Sequence, residues 1–387
     1  MPRYGILLPT RNGASLLEGC VRSVLDQDYE DFELVISDNA SDDGTADILA
    51  GFAYDPRVRL LRQDEPIGVT DNWNACLAAC TSERLTLIGD DDLLLPGYFE
   101  RADAVLEGHG NPDVVMHDAY AFAFPGFTGS EVSQYDDHFC KLRPPLPTEG
   151  DASPELRRGA VDSLFRFDFP IPLNMQLAIV TRRVLDALPG SQFKPPFPDF
   201  WALAGLLLRV DRWAMSPERL VVIGVSPKSF GQTVHSSGSI DKARAYLGVD
   251  PRFDGQLPGS EVMNGHYETL LQLKADFPAE LAGVEIDRSE YAWQQVYSWY
   301  VQMRLGSLPA RDAARRLGLL KPSDWVGLTR LLAKRLRPGA LKDYAHLGGD
   351  RATSTLWPGM QPVPEVHDIV EFRDWIEARA PRPPVRA

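Results

Sequence analysis

The chain has 387 residues, 44% of them hydrophobic and 24% charged, with a formal net charge of −14. That length and apolar content suffice for one large domain plus an extension, and the acidic balance argues against a nucleic-acid binder, whose footprint is a basic face. No run of about 18 apolar residues is present and a strand-like run begins within four residues of the N-terminus, so neither a membrane span nor a signal peptide is expected and the chain is placed in the cytoplasm.

Tyr4 to Pro9 reads as a buried strand, followed by Thr10-Arg11-Asn12-Gly13 and a helix carrying Leu16, Leu17, Val21, Val24 and Leu25. Phe32 to Ser37 is a second strand, ending in Asp38-Asn39-Ala40-Ser41-Asp42-Asp43-Gly44-Thr45. Val58 to Leu61 is a third, leading into a helix over roughly Thr70 to Ala79, and Arg84 to Ile88 supplies a fourth. Strands alternating with helices at this spacing predict βαβ units and a mostly parallel sheet. The loops after strands one, two and four then open on one edge, where Arg11, Asp38 and the run Asp90-Asp91-Asp92 should converge. Three adjacent carboxylates at the end of a buried strand repel one another unless a cation is near, which points to Mg²⁺ or Mn²⁺ carrying phosphate oxygens. The alternative is an acidic turn capping the helix that starts near Pro96.

Pro9-Thr10-Arg11-Asn12, Ser37 to Thr45, and Gly89-Asp90-Asp91-Asp92-Leu93-Leu94-Leu95-Pro96-Gly97-Tyr98 together resemble the three N-terminal signatures of the family 2 glycosyltransferases, nucleotide-sugar enzymes of the GT-A fold. The order and spacing match over about the first hundred residues and more loosely to about 235. The resemblance implies a GT-A (Rossmann-like) α/β fold: a mixed, mostly parallel sheet flanked by helices. It also implies that Pro9, Thr10, Arg11 and Asn12, with Asp38, hold the nucleotide base and ribose, and that the aspartates hold Mn²⁺ or Mg²⁺ on the diphosphate. The commoner pattern is Asp-x-Asp-Asp, whose first position here is Gly89; register from Pro96 makes Asp91 the best metal ligand, beside Asp92, with Asp90 near the ribose. A stretch that usually carries Asn before Gly reads Pro66-Ile67-Gly68, while Asn74 stands where a family Asn is expected, as a nucleotide-side residue; Asn72 and Asn74 could equally be helix surface.

Transfer with inversion needs a general base. Asp199, in Pro195-Pro196-Phe197-Pro198-Asp199-Phe200-Trp201, resembles the family's base-bearing motif, and desolvation among those rings would raise its pKa; as an alternative or in addition it is an N-cap after Pro198. His235, in Phe230 to Gly238, follows the apolar run Val221 to Val225 and is a further metal or diphosphate contact by resemblance, or a surface-loop histidine. His117-Asp118 is an acceptor-side pair or a structural hydrogen-bonding pair. The four cysteines, Cys20, Cys76, Cys80 and Cys140, read as reduced thiols, because no second Cys or His pair completes a zinc set with Cys76 and Cys80.

From about Phe124 to Pro154 a Pro-, Gly- and charge-rich stretch suggests a long loop over the site, a common place for a mobile lid. After residue 240 the strand-like runs stop and helical spacing takes over, as in Trp293, Val296, Tyr297, Tyr300 and Val301. The expected organisation is a catalytic domain over 1–238, with a nucleotide-sugar half to about 118 and an acceptor half over 119–238. A helical C-terminal extension over 239–377 and a disordered tail over 378–387 follow. Between Lys321 and Lys342, six basic residues face one acid, and Arg330, Lys334 and Arg337 share a helical face opposite Leu328, Leu331, Leu332 and Leu336. That helix either lies on an anionic membrane surface or docks its leucines on the catalytic domain. The expected function is transfer of a sugar from a nucleotide diphosphate sugar, most simply a UDP-sugar although dTDP or GDP fits the motifs, to a glycan or lipid-linked acceptor in surface polysaccharide or glycoconjugate biosynthesis. A non-catalytic nucleotide-sugar or glycan binding module would need no base and no metal carboxylates. A sugar nucleotidyltransferase would usually carry a Gly-rich basic loop after the first strand, which Thr10 to Gly13 is not.

Overall fold

The computed structural model describes residues 1–126, 130–226, 252–304, 306, 308–335 and 360–379. Continuous apolar runs form the central strands, as expected where a sheet is covered on both faces: β1 (Tyr4–Thr10), β2 (Phe32–Asp38), β3 (Val58–Arg62) and β4 (Arg84–Leu87) lie in the order β4-β1-β2-β3, all parallel. Helices α1 (Leu17–Leu25), α2 (Thr45–Ala50) and α3 (Val69–Ala79) make the crossovers. Ile6, Leu7, Leu8, Val35 and Ile36 are fully buried beneath them.

The second half of the sheet hangs on β6 (Val114–Ala123), a ten-residue strand buried along its whole length. An antiparallel strand, β9 (Ala178–Thr181), joins the start of β6 to β4, and a parallel one, β10 (Trp213–Val225), runs along its other side. β10 also pairs with β5 (Leu93–Leu94) directly after the aspartates. The sheet is mixed and mostly parallel, flanked by helices, as expected.

The segment expected to be a free loop is instead stitched to the sheet: β7 (Gln134–Asp136) pairs with the end of β6, β8 (Gly150–Asp151) pairs with β10, and Leu146 is buried. Helices α4 (Tyr98–Gly108), α5 (Pro154–Leu164), α6 (Arg182–Asp186) and α7 (Pro198–Arg209) complete the layers.

The C-terminal part is helical: α8 (Glu261–Asp276), α9 (Arg288–Arg304), α10 (Ala310–Leu317) and α11 (Pro322–Arg335). Leu257, Leu270, Leu273, Phe277 and Tyr291 belong to the same buried cluster as the sheet, so the helical part shares its core. The boundary expected at 238 falls outside the described residues. One strand does occur late in the chain: β11 (Gln361–Pro362) adds to β7. Helix α12 (Ile369–Arg379) then lays Ile369, Phe372 and Ile376 on Leu93, Leu95, Phe122 and Val222. It runs two residues into the segment expected to be disordered, with Arg379 over the Trp375 ring and paired to Glu365; 380–387 lie outside the described residues.

Candidate active site

Parallel register sets the site. Thr10 is paired with Asp38, and Asp38 with Arg62, so the ends of β1, β2 and β3 form one rim. Tyr4 to Leu7 pair with Arg84 to Leu87, which brings Asp90 level with Thr10, and the Thr10 hydroxyl donates to Asp90 Oδ2 at 2.6 Å. A Cβ on Gly13 would lie 2.4 Å from that carboxylate oxygen, so the glycine makes room for the aspartate. The loops after β1 and β2 are laced by backbone donors: Asn12 N to Ser41 Oγ at 2.8 Å, Gly13 N to Thr45 Oγ1 at 3.0 Å and Ala14 N to Asp43 Oδ2 at 3.1 Å. The Asn12 side chain accepts from Asp42 N.

Asp38 is buried. Its Oδ1 accepts from Ser41 N at 3.0 Å and its Oδ2 is paired with Arg62, whose half-exposed guanidinium closes it from solvent. Arg62, a residue that carried no motif signal, is thus the immediate partner of Asp38 at the rim. Arg11 is exposed and Pro9 partly so. Asn39 binds Ile67 in both directions at 2.8 Å, which pins the Pro66-Ile67-Gly68 stretch to the rim.

The three aspartates are not equivalent. Asp92 is buried, and its two oxygens accept from Gly89 N at 2.6 Å and Gly224 N at 3.0 Å. Desolvation, with the Asp91 charge second, pushes its carboxyl well above the usual range. It therefore ties the loop to β10, each of its oxygens already accepting a backbone N–H. Asp90 and Asp91 are partly exposed. A Cβ on their neighbour Gly89 would stand 2.9 Å from Asp91 Oδ1 and 3.1 Å from Asp92 Oδ2, so a larger side chain there would push those carboxylates aside. A Cβ on Gly224 would lie 1.8 Å from the Asp91 carbonyl oxygen. The helix-cap alternative fails, because α4 starts from Gly97 in the left-handed region (φ 69°) with no side-chain cap.

Asp90 and Asp91 offer hard carboxylate oxygens of the kind Mg²⁺ or Mn²⁺ takes. Such ions are commonly bound by one or two carboxylates plus substrate phosphates and water. Among the described residues no group of three His, Cys, Asp or Glu side chains is arranged to hold a metal alone. His235 lies outside the described residues.

Asp199 occupies the second position of α7, after Pro198. The N-cap is Phe197 without a side-chain cap, so the N-cap reading of Asp199 is corrected. Its carboxylate accepts from Phe200 N at 2.8 Å. Some surface remains open, but protein packed around the carboxyl desolvates it and raises its pKa to about 6, opposed by that N–H. The wall behind it comes from the extension: a Cβ on Gly265 would lie 2.5 Å from the Phe197 ring, His266 packs at 4.9 and 5.2 Å on Phe197 and Phe200, and Asp276 accepts from both Trp201 Nε1 and Lys194.

Asn74 exchanges two hydrogen bonds with the Phe193 backbone, at 3.1 and 3.2 Å, and so ties α3 to the segment leading into Asp199. Asn72 is buried and bonded to Ser37. Neither is helix surface, and the Asn74 amide faces Phe193 rather than the nucleotide rim. His117 and Asp118 do not pair with each other through their side chains. The His117 ring is fully buried with Nδ1 against the Asp118 carbonyl, and burial lowers its pKa to about 4. The Asp118 carboxylate meets His138 Nδ1 at 2.6 Å and Cys140 N at 2.9 Å. His138 had no motif to mark it.

A family model, glycosyl transferase family 2, matches residues 5–147. A β-1,3-glucosyltransferase of Campylobacter jejuni acting on GalNAc(5)-diNAcBac-PP-undecaprenol is 34% identical over 99 residues, 25% of this chain and 32% of that one. A PGL/p-HBAD biosynthesis glycosyltransferase of Mycobacterium bovis is 35% identical over 119 residues, 30% of this chain and 46% of that one. The chain thus spans about a third to a half of the length of the curated relatives it matches. Among solved structures, a mannosyltransferase from Pyrobaculum calidifontis in complex with GDP-Man and Mn²⁺ is similar at 17% identity and a TM-score of 0.48, covering 92% of this chain and 87% of that one. The three motif loops of this chain all fall inside the matched region, so residues 5–147, less than half of the chain, are similar to glycosyltransferase family 2, and they stand on a mixed α/β sheet.

Proposed function

We propose that the chain is an inverting glycosyltransferase that moves a sugar from a nucleotide diphosphate sugar, with UDP-sugars the first candidates, to a hydroxyl of a glycan or lipid-linked acceptor. The observation that carries this reading is the rim where Thr10, Asp38 and Asp90 meet in register. Parallel α/β sheets bind nucleotides at the carboxyl ends of their strands. The loops holding Pro9, Arg11 and Asn12 would take the base and ribose, with Asp90 beside them. Asp91, with Asp90, would hold Mg²⁺ or Mn²⁺, which when bound offsets charge on the departing diphosphate. Asp92 and Gly224 fix where Asp91 stands.

Asp199 is the proposed base. A carboxyl with a pKa near 6 is ionised at neutral pH and basic enough to accept a proton in the transition state. Asp199 takes the proton of the acceptor hydroxyl as that oxygen bonds to the anomeric carbon; the bond from that carbon to the diphosphate oxygen breaks, its electron pair leaves with the nucleoside diphosphate, and the configuration inverts. All four cysteines are free thiols, which suits a reducing compartment such as the cytoplasm.

The test is nucleotide release from a panel of UDP-, dTDP- and GDP-sugars, with and without Mn²⁺. One nucleotide sugar should stabilise the protein thermally and leak nucleoside diphosphate slowly to water, and Asp91→Asn should abolish the metal-stimulated part while melting at or above the parent temperature. No stabilisation and no release from any donor would overturn the reading.

A further inference from the structure

Large apolar side chains that stay exposed among the described residues are Met1, Tyr54, Val132, Leu271, Leu317, Leu319, Trp325 and Val326. Half of them fall within ten residues, at the corner where α10 turns into α11. The inner face of α11 is already committed. Asp324 is fully buried, accepting two bonds from Arg288 and one from Lys321 N; Gly327 lies so close to Ser289 that a Cβ would be 2.1 Å from its hydroxyl; and Leu328 is buried. Positions 324, 327 and 328 are one helical stripe, which turns Trp325, Val326 and Arg330 outward. Of the four leucines in the face expected either to meet a membrane or to dock on the catalytic domain, Leu328 is docked and the other three side chains lie outside the described residues; the exposed apolar side chains Trp325 and Val326 lie elsewhere on the helix.

The charge around this corner is opposite to that of the rest of the molecule. Residues 309–330 hold five basic and two acidic residues in a chain of net charge −14. Of the two acids, Asp324 is buried against Arg288 and Asp312 is paired with Arg315. Exposed Arg311, Lys321 and Arg330 flank the apolar corner. An exposed apolar patch rimmed by polar groups marks an interaction site. Tryptophan and aliphatic side chains flanked by Arg and Lys are the chemistry of a bilayer interface, where the rings sit at headgroup level and each basic residue strengthens binding to anionic lipid roughly fivefold.

We propose that the α10–α11 corner docks the protein on an anionic lipid surface, with Leu317, Leu319, Trp325 and Val326 entering the interface and Lys321 and Arg330 meeting the headgroups. The strongly acidic remainder is repelled by the same surface, so only this corner can approach and the orientation is fixed. The lipid contact stands independently of the transfer reading. If that reading also holds, docking confines the search for a lipid-linked acceptor to two dimensions.

Flotation of the full chain with vesicles tests it without any activity measurement. With a phosphatidylglycerol–phosphatidylcholine mixture at low salt the protein should float, and with phosphatidylcholine alone it should remain at the bottom. The triple variant Arg311→Glu, Lys321→Glu and Arg330→Glu should bind anionic vesicles at least tenfold more weakly, and so should Trp325→Ser with Val326→Ser. Tyr54→Ser, at an exposed site elsewhere, should change nothing, and all variants should melt as the parent does because the altered side chains are exposed. Failure of the parent to float, flotation of the triple variant equal to the parent, or flotation insensitive to the Trp325 and Val326 changes would each overturn the proposal. If the parent does not float but self-associates in a Trp325-dependent way, the corner is a protein contact and the lipid reading is wrong.

Discussion

Gly224→Ala isolates the scaffold of the aspartate loop without replacing a carboxylate. The new Cβ would stand 1.8 Å from the Asp91 carbonyl oxygen and 2.7 Å from its carbonyl carbon. An ordinary contact needs about 3.4 Å, so strand and loop must separate by about 1.6 Å. Both sides are backbone and no rotamer change can relieve the contact. The same movement stretches the 3.0 Å bond from Gly224 N to Asp92, taking a donor from a buried carboxylate. Overpacking costs about 1–3 kcal/mol and the lost bond about 1–3 kcal/mol, so the variant should melt several degrees lower. Misplacement of a reacting geometry by about 1 Å costs on the order of a hundredfold in rate, so kcat for donor turnover should fall about that much. The control is Gly108→Ala, where a Cβ meets nothing within 4 Å; it should be neutral or up to about 1 kcal/mol stabilising. Thermal melts and steady-state kinetics on the three proteins decide the matter. Gly224→Ala with a parental melting temperature and kcat would refute both the close approach and the role given to the loop.

Asp199 makes opposite predictions for rate and stability. With its pKa near 6, activity of the parent should rise about tenfold per pH unit up to about pH 6 and then level, while Asp199→Asn loses about 10²–10⁴ in kcat with donor binding retained. The raised pKa means that the native state holds the proton more tightly than the unfolded chain. Its contribution to stability is full below about pH 4 and lost as pH rises through about 6. At pH 8 the Asn variant should therefore be more stable, by at most about 3 kcal/mol, and the difference should vanish at pH 4. A flat rate profile or normal turnover in the variant would remove Asp199 from the chemistry. Asn74→Ala, which loses both bonds to Phe193, should lower kcat at least tenfold by releasing the segment before Asp199, with donor-induced stabilisation intact; loss of donor binding at an unchanged melting temperature would instead return Asn74 to the nucleotide.

The first four strands and the helices between them are legible because they are local. Ile6-Leu7-Leu8 and Leu34-Val35-Ile36 are apolar runs buried on both faces, and each ends in a polar loop of recognisable composition. The convergence of Thr10 on Asp90 follows from parallel order alone. The unequal surroundings of Asp90, Asp91 and Asp92 do not, because they depend on Gly224, more than 130 residues away, in a run that otherwise reads as an ordinary strand. Asn74 with Phe193, Asp118 with His138, and Asp38 with Arg62 are likewise contacts between distant segments, and a single polar residue carries no periodicity to reveal its partner. The stretch from Phe124 to Pro154 looked loose because its strands are two and three residues long, too short for alternation to show. The inward turn of Leu328 was one of two alternatives left open, and packing against α9 chooses it.

Helix α12 has a consequence for synthesis. Leu93, Leu95, Phe122 and Val222 are covered by Ile369, Phe372 and Ile376, so the underside of the aspartate loop waits for side chains made roughly 150 residues after β10. At about 5–20 residues per second, translation of that interval takes roughly 8–30 seconds, long compared with the time a collapsed chain needs to form its sheet. Throughout it the nascent protein presents an apolar sheet face with no native cover. A ribosome that stalls or terminates in this interval releases a product with every motif residue present and that face bare, a natural client for chaperones and a seed for aggregation.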